Sequence, residues 1–313
     1  MLFRSPKGSL VYAFDPSHSV RFTYNEAFQV PNYSEFFLQT DAAAPVNLSG
    51  LNAVCAQFGV NCGFGVTRVM ALGNKDLKLE RIKTVEVGYK GILAGRALLT
   101  LDYYKSRSSN FVTDLLPQLG TPLGRVNPNF GPWQGPANLP AAAAAAVRAL
   151  APGILSNNVD GSNILAAVSY ANFGDVDTQG LELGLSYYFL PGWKSAFNYS
   201  WFDFTVKNQL PGFDTLLLPN SPAHTASFAL GYTQGPFEVN FSVRHVNDFA
   251  WGVGPFQGTV LAYASADVTA HYNLTKHLVV GLNVANLFDN QHWESFGGDL
   301  LRRRALTSLQ WGW

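Results

Sequence analysis

Side chains able to do acid–base or metal chemistry are few and widely separated in this sequence. The histidines are His18, His224, His245, His271, His277 and His292. None of them has a second histidine, a cysteine or a carboxylate at ligand spacing on the same predicted strand face, so no metal site is predicted. A hydrolase would need a nucleophile, a base and an orienting group within mutual reach, and the sequence has no nucleophile motif. We therefore predict neither an enzyme nor a cofactor.

The cysteines suggest a local cross-link. Cys55 and Cys62 lie close together in a Gly/Asn-rich segment, CAQFGVNC. This spacing suits a disulfide formed in an oxidising compartment, and two free thiols are the alternative.

Two further groups of side chains are candidates for ligand contact. Charged residues on the polar side of predicted strands are Glu86, Lys90, Asp102, Glu182 and Arg244. They either line a pathway or bond to water or to a second domain. Aromatic residues in predicted loops, which suit stacking on a flat ligand, are Tyr33, Phe64, Trp133, Trp251, Phe256 and Trp293. We select Tyr33, Trp133, Trp251, Phe256 and Trp293 as ligand contacts, although loop rings also pack simply to order long loops.

The composition indicates that water is not the solvent on every side. Charged residues make up 13% of the chain and aromatic residues 14%, whereas a soluble surface carries roughly 25% or more charge. The longest run of small apolar residues, 141–147, is far below the ~18 residues of a spanning helix, so a helical membrane protein is excluded. Basic and acidic residues number 21 each, so no basic field for nucleic acid is present.

Alternation of apolar and polar residues predicts about eleven antiparallel strands. They span residues 8–14, 20–30, 80–93, 96–112, 168–189, 193–206, 223–232, 237–249, 262–274, 278–288 and 301–313. In the tenth, Leu278, Val280, Leu282 and Val284 share one face, and Val279, Gly281, Asn283 and Ala285 share the other. A soluble sandwich would bury the apolar face, whereas a membrane barrel turns it to lipid.

The connections between these strands alternate strictly in length. Those after the odd-numbered strands are short (DPSHS, AG, LPG, TQG and TK), and the others are long, the longest being residues 113–166. Outer-membrane barrels combine short periplasmic turns with long extracellular loops. The fold class is therefore all-β, a partial antiparallel transmembrane β-barrel. Within the longest loop, residues 141–146 after Pro140 predict a short helix with proline at its first position.

Aromatic residues fall near the predicted periplasmic strand ends, as expected of a membrane-interface girdle. They are Tyr89, Tyr187, Trp193, Tyr232, Phe237, Tyr272, Trp311 and Trp313.

Residues 1–12 have no apolar core typical of a secretory signal. Because single-chain bacterial barrels have an even strand count, an odd count near eleven predicts that the barrel's beginning is missing.

Several segments resemble the carboxyl-terminal half of TonB-dependent outer-membrane receptors. Residues 28–37 (FQVPNYSEFF) resemble the family's FR-x-P-x-x-x-E-L-F stretch, and residues 79–93 resemble its L-K-P-E-x-x-x-x-x-E-x-G-x-K strand, with Leu79 in place of the usual proline. Residues 172–187 (NFGDVDTQGLELGLSY), 219–224 (PNSPAH) and 284–290 (VANLFDN) resemble later motifs in the same order.

The resemblance implies a receptor in the bacterial outer membrane that binds a nutrient such as an iron–siderophore chelate and imports it with energy from TonB. Full-length members resemble 22-stranded barrels closed by an amino-terminal plug. The whole chain, 1–313, would then be a partial barrel domain lacking the plug, the TonB-contacting segment and the early strands. Outer-membrane lipid and lipopolysaccharide would surround it.

Two other functions remain as alternatives: a smaller independent porin or adhesin, and a barrel lipase. Arg302, Arg303 and Arg304 form a basic cluster at the start of the last predicted strand. They either pair with phosphates of outer-leaflet lipid or are ordinary solvated charges.

Overall fold

The computed structural model describes residues 5–113, 115–117, 132–152, 155–158, 160–172, 174–207, 219–253 and 256–312. The strands are β1 (Lys7–Asp15), β2 (His18–Gln29), β3 (Gln39–Asn47), β4 (Val66–Leu72), β5 (Glu80–Leu93), β6 (Ala97–Ser109), β7 (Leu116–Pro117), β8 (Ser156–Asn157), β9 (Asn163–Ser169), β10 (Asp175–Leu190), β11 (Trp193–Lys207), β12 (His224–Gln234), β13 (Phe237–Val246), β14 (Phe249–Val253), β15 (Phe256–Val260), β16 (Tyr263–Asn273), β17 (Leu278–Ala285) and β18 (Arg304–Trp311). The helices are α1 (Tyr33–Phe37), α2 (Asn52–Ala56) and α3 (Ala141–Leu150), with a 3₁₀ turn at Ser49–Leu51.

The chain divides into two compact units. The first, here called the wall, comprises Met1–Phe28, Arg81–Ser109 and Asp175–Trp313. The second, here called the loop unit, comprises Gln29–Glu80 and Asn110–Gly174. The loop unit is therefore built from the two longest connections between strands of the wall.

The wall is an 11-stranded sheet in the order β1-β2-β5-β6-β10-β11-β12-β13-β16-β17-β18. Pairing is antiparallel throughout from β5 to β18. Every strand therefore lies beside the wall strand that precedes it in the chain, as in a barrel meander. The predicted all-β architecture with eleven strands is confirmed.

The register separates the wall into an aliphatic face and a polar face. One aliphatic row runs through Leu99, Leu185, Phe197, Phe228, Val243 and Ala266. This face is uncovered: Val87 is 49% exposed, Phe228 44% and Leu282 40%. An apolar surface spread over so many strands is unfavourable in water. The aliphatic face is therefore suited to an apolar solvent.

The short and long connections alternate as predicted. Neighbouring wall strands are joined by only a few residues at 16–17, 94–96, 191–192, 235–236 and 274–277. Ala94 and Gly95 in the second of these turns have φ of 48° and 64°, the left-handed backbone that a tight hairpin turn needs. The other connections are long. No helix in the described residues is both long enough and apolar enough to cross a membrane.

Several predicted strand ends differ from the structure by about three residues, and two predicted strands include residues that belong to other segments. The fifth wall strand begins at Asp175, because residues 163–169 belong to β9 of the loop unit. The eighth ends at Val246, and the chain continues into the separate hairpin β14–β15. In both places the apolar pattern continues through the boundary, so alternation alone could not locate the end of the strand.

The loop unit contains a second sheet, which the sequence analysis did not predict. Its sheet has the order β3-β4-β9-β7, with β8 beside β9, and β4 and β9 are parallel. Helix α3 extends from Ala141 to Leu150, four residues beyond the predicted end, and Pro140 is its N-cap residue, not its first helical residue. Among the described residues, the largest buried cluster belongs to this unit and includes Cys55, Phe64, Trp133, Val147 and Leu155. The long connections therefore have a hydrophobic core of their own.

Candidate functional site

The predicted charged residues share the polar face of the wall. Lys90 and Arg244 lie on one cross-strand row, through Thr100, Gly184, Asn198 and Ser227. Asp102 and Glu182 are direct partners on the adjacent row. Glu86 lies two residues from Gly88, the cross-strand partner of Asp102. Strand alternation thus brings all five predicted residues to one surface.

Arg21 on β2 organises the first charged cluster on this face. Its Nη2 contacts Glu86 Oε1 and lies 3.0 Å from Asp102 Oδ1. One guanidinium therefore pairs with carboxylates from both β5 and β6. Sequence reasoning missed Arg21, although its alternation with Val20 and Phe22 placed it on the polar side.

A second cluster lies around Glu294, in the loop 286–303 between β17 and β18. The Glu294 Oε1 atom accepts from Arg244 Nη2 and, at 3.3 Å, from the Tyr263 hydroxyl. Arg244 Nη2 also lies 3.0 Å from the Tyr263 oxygen and its guanidinium carbon is 5.4 Å from the ring centroid. Glu294 thereby holds the loop against β13 and β16.

His292 completes this cluster. Its ring stacks on Tyr263 with centroids 4.2 Å apart and an interplanar angle of 14°. The Nδ1 atom is 2.7 Å from the Asn290 carbonyl oxygen. Since a carbonyl oxygen only accepts, Nδ1 carries the proton of this bond, and Nε2 lies 3.7 Å from Glu294 Oε1.

The base of the same loop is held by a second set of bonds. Asn286, with φ of 53°, accepts from Asn290 N–H and donates to the Asn290 carbonyl. The Asp289 carboxylate accepts from Arg302 Nη2 at 2.9 Å and from the Arg303 backbone N–H at 2.9 Å. The Arg302 guanidinium, followed by the Arg303 N–H, holds the pKa of Asp289 well below its ordinary value. These bonds close the loop at both ends.

A cavity of about 600 Å³ opens between this loop and the polar face. Arginine, histidine and acidic groups line it: Arg244, Arg302, Arg304, His292, Asp267 and Glu294. Asp267 accepts the Asn286 backbone N–H at 2.8 Å. Of the predicted basic cluster, Arg302 is paired with Asp289, and Arg304 lines the cavity.

The loop aromatics selected from the sequence have different surroundings. Tyr33 is 79% exposed and Trp293 is 48% exposed. Trp251 is partly buried against a small cluster of Val246, Val260 and Tyr263. The side chain of Phe256 lies outside the described residues.

The assignment of Trp133 to ligand contact is corrected by the structure. Only 1% of Trp133 is exposed, its ring lies 5.0 Å from that of Phe64, and its Nε1–H donates to Asn163 Oδ1 at 2.8 Å. A ring buried on all sides cannot stack on a ligand, so Trp133 is a core residue of the loop unit.

Tyr33 belongs to an exposed aromatic group on α1. Its ring centroid lies 4.8 Å from that of Phe37, and Lys75 Nζ lies 5.5 Å from the Phe37 centroid. A capping box orients this helix: Glu35 N–H donates to Asn32 Oδ1, and Asn32 N–H donates to Glu35 Oε2. The capping box of residues 31–35 therefore fixes the start of the helix that carries these exposed rings.

Cys55 and Cys62 are joined by a disulfide in the core of the loop unit. The described residues contain no group of three or more histidine, cysteine or carboxylate side chains that could hold a metal ion.

Sequence reasoning also missed Tyr263, His292 and Glu294 as a set. The only available signal was that His292 and Glu294 flank the selected Trp293.

Comparison with known proteins gives one family and a set of similar folds. Residues 3–287 match the family model described as TonB dependent receptor-like, beta-barrel. No curated protein sequence matches the chain.

Solved structures share the fold at low identity. The ferric-catecholate import receptor Fiu of E. coli has 19% identity and a TM-score of 0.58, over 97% of this chain and 34% of that one. A mutant ferric enterobactin receptor PfeA of Pseudomonas aeruginosa has 17% identity and a TM-score of 0.60, over 92% of this chain and 35% of that one. The siderophore receptor PirA of Acinetobacter baumannii has 16% identity and a TM-score of 0.61, over 98% of this chain and 40% of that one. The chain thus spans well under half the length of these proteins.

Proposed function

Since the chain belongs to the TonB-dependent receptor family, whose β-barrel model matches residues 3–287, we propose that it acts in the outer-membrane uptake of a bulky nutrient. This family consists of outer-membrane transport receptors, not enzymes. The proposed nutrient is a metal chelate such as an iron–siderophore complex, and the proposed energy source is TonB. The main support is the two-faced wall, with an uncovered aliphatic side and a charged, hydroxyl-rich side.

The aromatic rows of the wall support a membrane-spanning position. At the short-turn end, Trp193 lies 4.7 Å from Tyr232 by ring centroid. At the other end Tyr199 hydrogen-bonds His224 at 2.8 Å, next to Trp201. Trp193 and Trp201 are eight steps apart on β11, which is about 26 Å at ~3.3 Å per residue. With a strand tilt of about 40° this gives ~20 Å across the membrane, close to the ~25 Å apolar band of such barrels.

The aliphatic face would then contact outer-membrane lipid and lipopolysaccharide, and the polar face would line the lumen. The alternation of connections would place the loop unit and loop 286–303 outside the cell and the short turns in the periplasm. Ligand contact is proposed for the exposed aromatic residues Tyr33 and Trp293. The lumen-facing residues proposed to lie along the path are Glu86, Lys90, Asp102, Glu182 and Arg244.

The chain is proposed to represent one part of a longer receptor barrel. This reading is supported by coverage of 97% of this chain against 34% of Fiu. In a complete receptor of this kind, TonB would act through a plug domain, and this chain would supply wall strands and ligand-binding loops.

A growth experiment tests the proposal. An iron-limited bacterium without other ferric-chelate receptors, carrying the complete gene, is supplied with ferric enterobactin or with other ferric catecholates. Growth that requires both this gene and TonB is expected, with the protein in the outer-membrane fraction. Growth independent of TonB, or recovery of the protein in a soluble fraction, would contradict the proposal.

A matched pair of substitutions tests the ligand contacts. Replacing either Tyr33 or Trp293 with alanine is expected to weaken chelate binding by about two- to tenfold, since a stacked ring contributes roughly 0.5–1.5 kcal/mol. Phe58→Ala is the control, because Phe58 is 49% exposed in the loop unit but is not proposed to contact the ligand. Equal binding by all variants would remove these residues from the site.

A further inference from the structure

Trp293, which is 48% exposed, lies between two residues that are anchored to the wall. On one side, His292 stacks on Tyr263 with ring centroids 4.2 Å apart. On the other side, Glu294 Oε1 accepts from the Tyr263 hydroxyl at 3.3 Å and pairs with Arg244. Both chain neighbours of Trp293 therefore contact the same ring. Two residues that flank a third and reach one surface leave the middle side chain on the opposite side of the chain.

The backbone beside Trp293 is fixed as well. His292 forms an antiparallel bridge with Leu301, in which the Leu301 N–H donates to the His292 carbonyl at 2.8 Å. The His292 ring bonds separately to the Asn290 carbonyl at 2.7 Å through Nδ1. Main chain and side chain of the residue before Trp293 are thus held by different partners, and His292 is buried. The chain cannot turn at this residue without breaking these bonds.

Tyr263 is in turn a fixed part of the wall. It is the first residue of β16 and pairs with Val246 of β13. Only 7% of Tyr263 is exposed, and its ring belongs to a buried cluster with Val246 and Val260. The Arg244 guanidinium lies over this ring, and its Nη2 is 3.0 Å from the hydroxyl oxygen. Tyr263 therefore connects the sheet directly to both neighbours of Trp293.

We propose that Tyr263 is a positioning residue, which holds His292 and Glu294 so that the Trp293 ring is presented in one orientation before the ligand arrives. This inference rests on the proposed function, in which Trp293 contacts the chelate. An ordered ring binds more tightly than a free one, because the entropy of ordering it has already been lost when the protein folds. Tyr263 is buried and does not touch the ligand, so its effect on binding passes through Trp293.

Fluorine NMR of the complete receptor in detergent micelles, labelled with 5-fluorotryptophan, tests whether Tyr263 holds Trp293. The Trp293 signal is the one that disappears in Trp293→Phe. Tyr263→Ala is expected to slow the transverse relaxation of this signal by about twofold or more, because a side chain that moves independently of the protein relaxes more slowly. Tyr263→Phe keeps the ring on which His292 stacks and should restore the wild-type rate.

Tyr272→Ala is the matched control for this measurement. Tyr272 lies near the other end of β16, with its ring 4.6 Å from that of Phe237, so the same strand loses the same side chain away from loop 286–303. The Trp293 signal should not change. If Tyr263→Ala does not fold, the double variant His292→Ala/Glu294→Ala decides, because it removes both attachments and leaves β16 intact. Unchanged Trp293 relaxation in the variant that folds would overturn the proposal.

The affinity of the same receptor for ferric enterobactin tests the consequence for binding. Tyr263→Ala should weaken binding by no more than Trp293→Ala does, about two- to tenfold, and the double variant should bind as Trp293→Ala does. Additive losses would show that Tyr263 acts on the ligand independently of Trp293 and would overturn the proposal. If wild type binds no ferric catecholate, the proposed function fails, whereas the fluorine relaxation still decides whether Tyr263 positions Trp293.

Discussion

The ring of Phe296 lies directly over the backbone of Gly258, so that a Cβ at Gly258 would fall 2.0 Å from Phe296 Cε2. This contact joins loop 286–303 to the hairpin β14–β15. Neither segment could pack in this way if residue 258 had a side chain, because the two groups would occupy the same space.

Gly258→Ala is expected to destabilise the packing of these two loops by about 1–3 kcal/mol, the usual cost of overpacking. Phe296→Ala should remove most of this cost, and a double-mutant cycle by thermal unfolding measures the coupling. Gly8→Ala is the control, since nothing lies within 4 Å of a Cβ there. Additive effects of the two loop substitutions would show that the contact is not formed.

Asp289→Asn is expected to loosen loop 286–303 in a pH-dependent way. Arg302 and the Arg303 N–H lower the pKa of Asp289 from its ordinary 3.8, so the carboxylate stabilises the folded loop above that pH. This contribution is lost as the pH falls through the lower folded value. The difference in melting temperature between wild type and variant should thus be constant near neutrality and shrink below about pH 4.

The control for this experiment is Asp299→Asn, which removes an exposed carboxylate from the same loop. Its melting temperature should follow wild type at every pH. A difference for Asp289→Asn that grows on acidification would contradict the assignment of the Asp289–Arg302 pair.

Trp133→Ala is expected to cost the loop unit about 3–5 kcal/mol, as for other large buried aromatic residues. The variant loses its contact with Phe64 and leaves Asn163 Oδ1 without its indole donor. Tyr33→Ala, at a position that is 79% exposed, should change stability by no more than about 0.5 kcal/mol. Amide hydrogen exchange in β4 and β9 measures the stability of the loop unit in each variant. Equal protection in the two variants would argue against a buried Trp133.

Replacing Cys55 and Cys62 with serine should destabilise the loop unit by about 2.5 kcal/mol, the entropy of closing a loop of about eight residues. The wall should be unaffected, because the disulfide lies within the core of the loop unit. Amide hydrogen exchange, measured separately for the wall and for the loop unit, tests whether only the loop unit is destabilised. Equal loss of protection in both units would show that they do not unfold independently.

Leu101→Lys and Ser200→Lys compare the two faces of the wall. Leu101 lies on the aliphatic face beside Leu183, and Ser200 lies on the polar face beside Glu182. A lysine facing lipid costs about 2–4 kcal/mol near the middle of the bilayer. Folding into lipid vesicles, followed by denaturant titration, should therefore be impaired by Leu101→Lys and little changed by Ser200→Lys. The reverse order would mean that the aliphatic face does not meet lipid.

The sequence by itself determined the wall. Side chains alternate with a period of two along each strand, and an antiparallel pair keeps direct neighbours on the same side. The sequence alone therefore predicted that Leu183 and Glu182 lie on opposite faces of the sheet. The lengths of the connections predicted which strands are neighbours. The motifs that resemble the receptor family are also short stretches in or next to single strands, so they could be recognised without the tertiary structure.

Tertiary structure alone decided the loops. Trp133 and Phe64 meet across about seventy residues of chain, and β4 pairs with β9 in parallel although two wall strands separate them in sequence. The same holds for Glu294, which finds Arg244 and Tyr263 on two other elements. Such contacts depend on which surfaces the folded chain brings together, and no periodicity records them. An aromatic residue in a loop therefore reads the same in the sequence whether it is a buried anchor, as Trp133 is, or an exposed ring, as Tyr33 is.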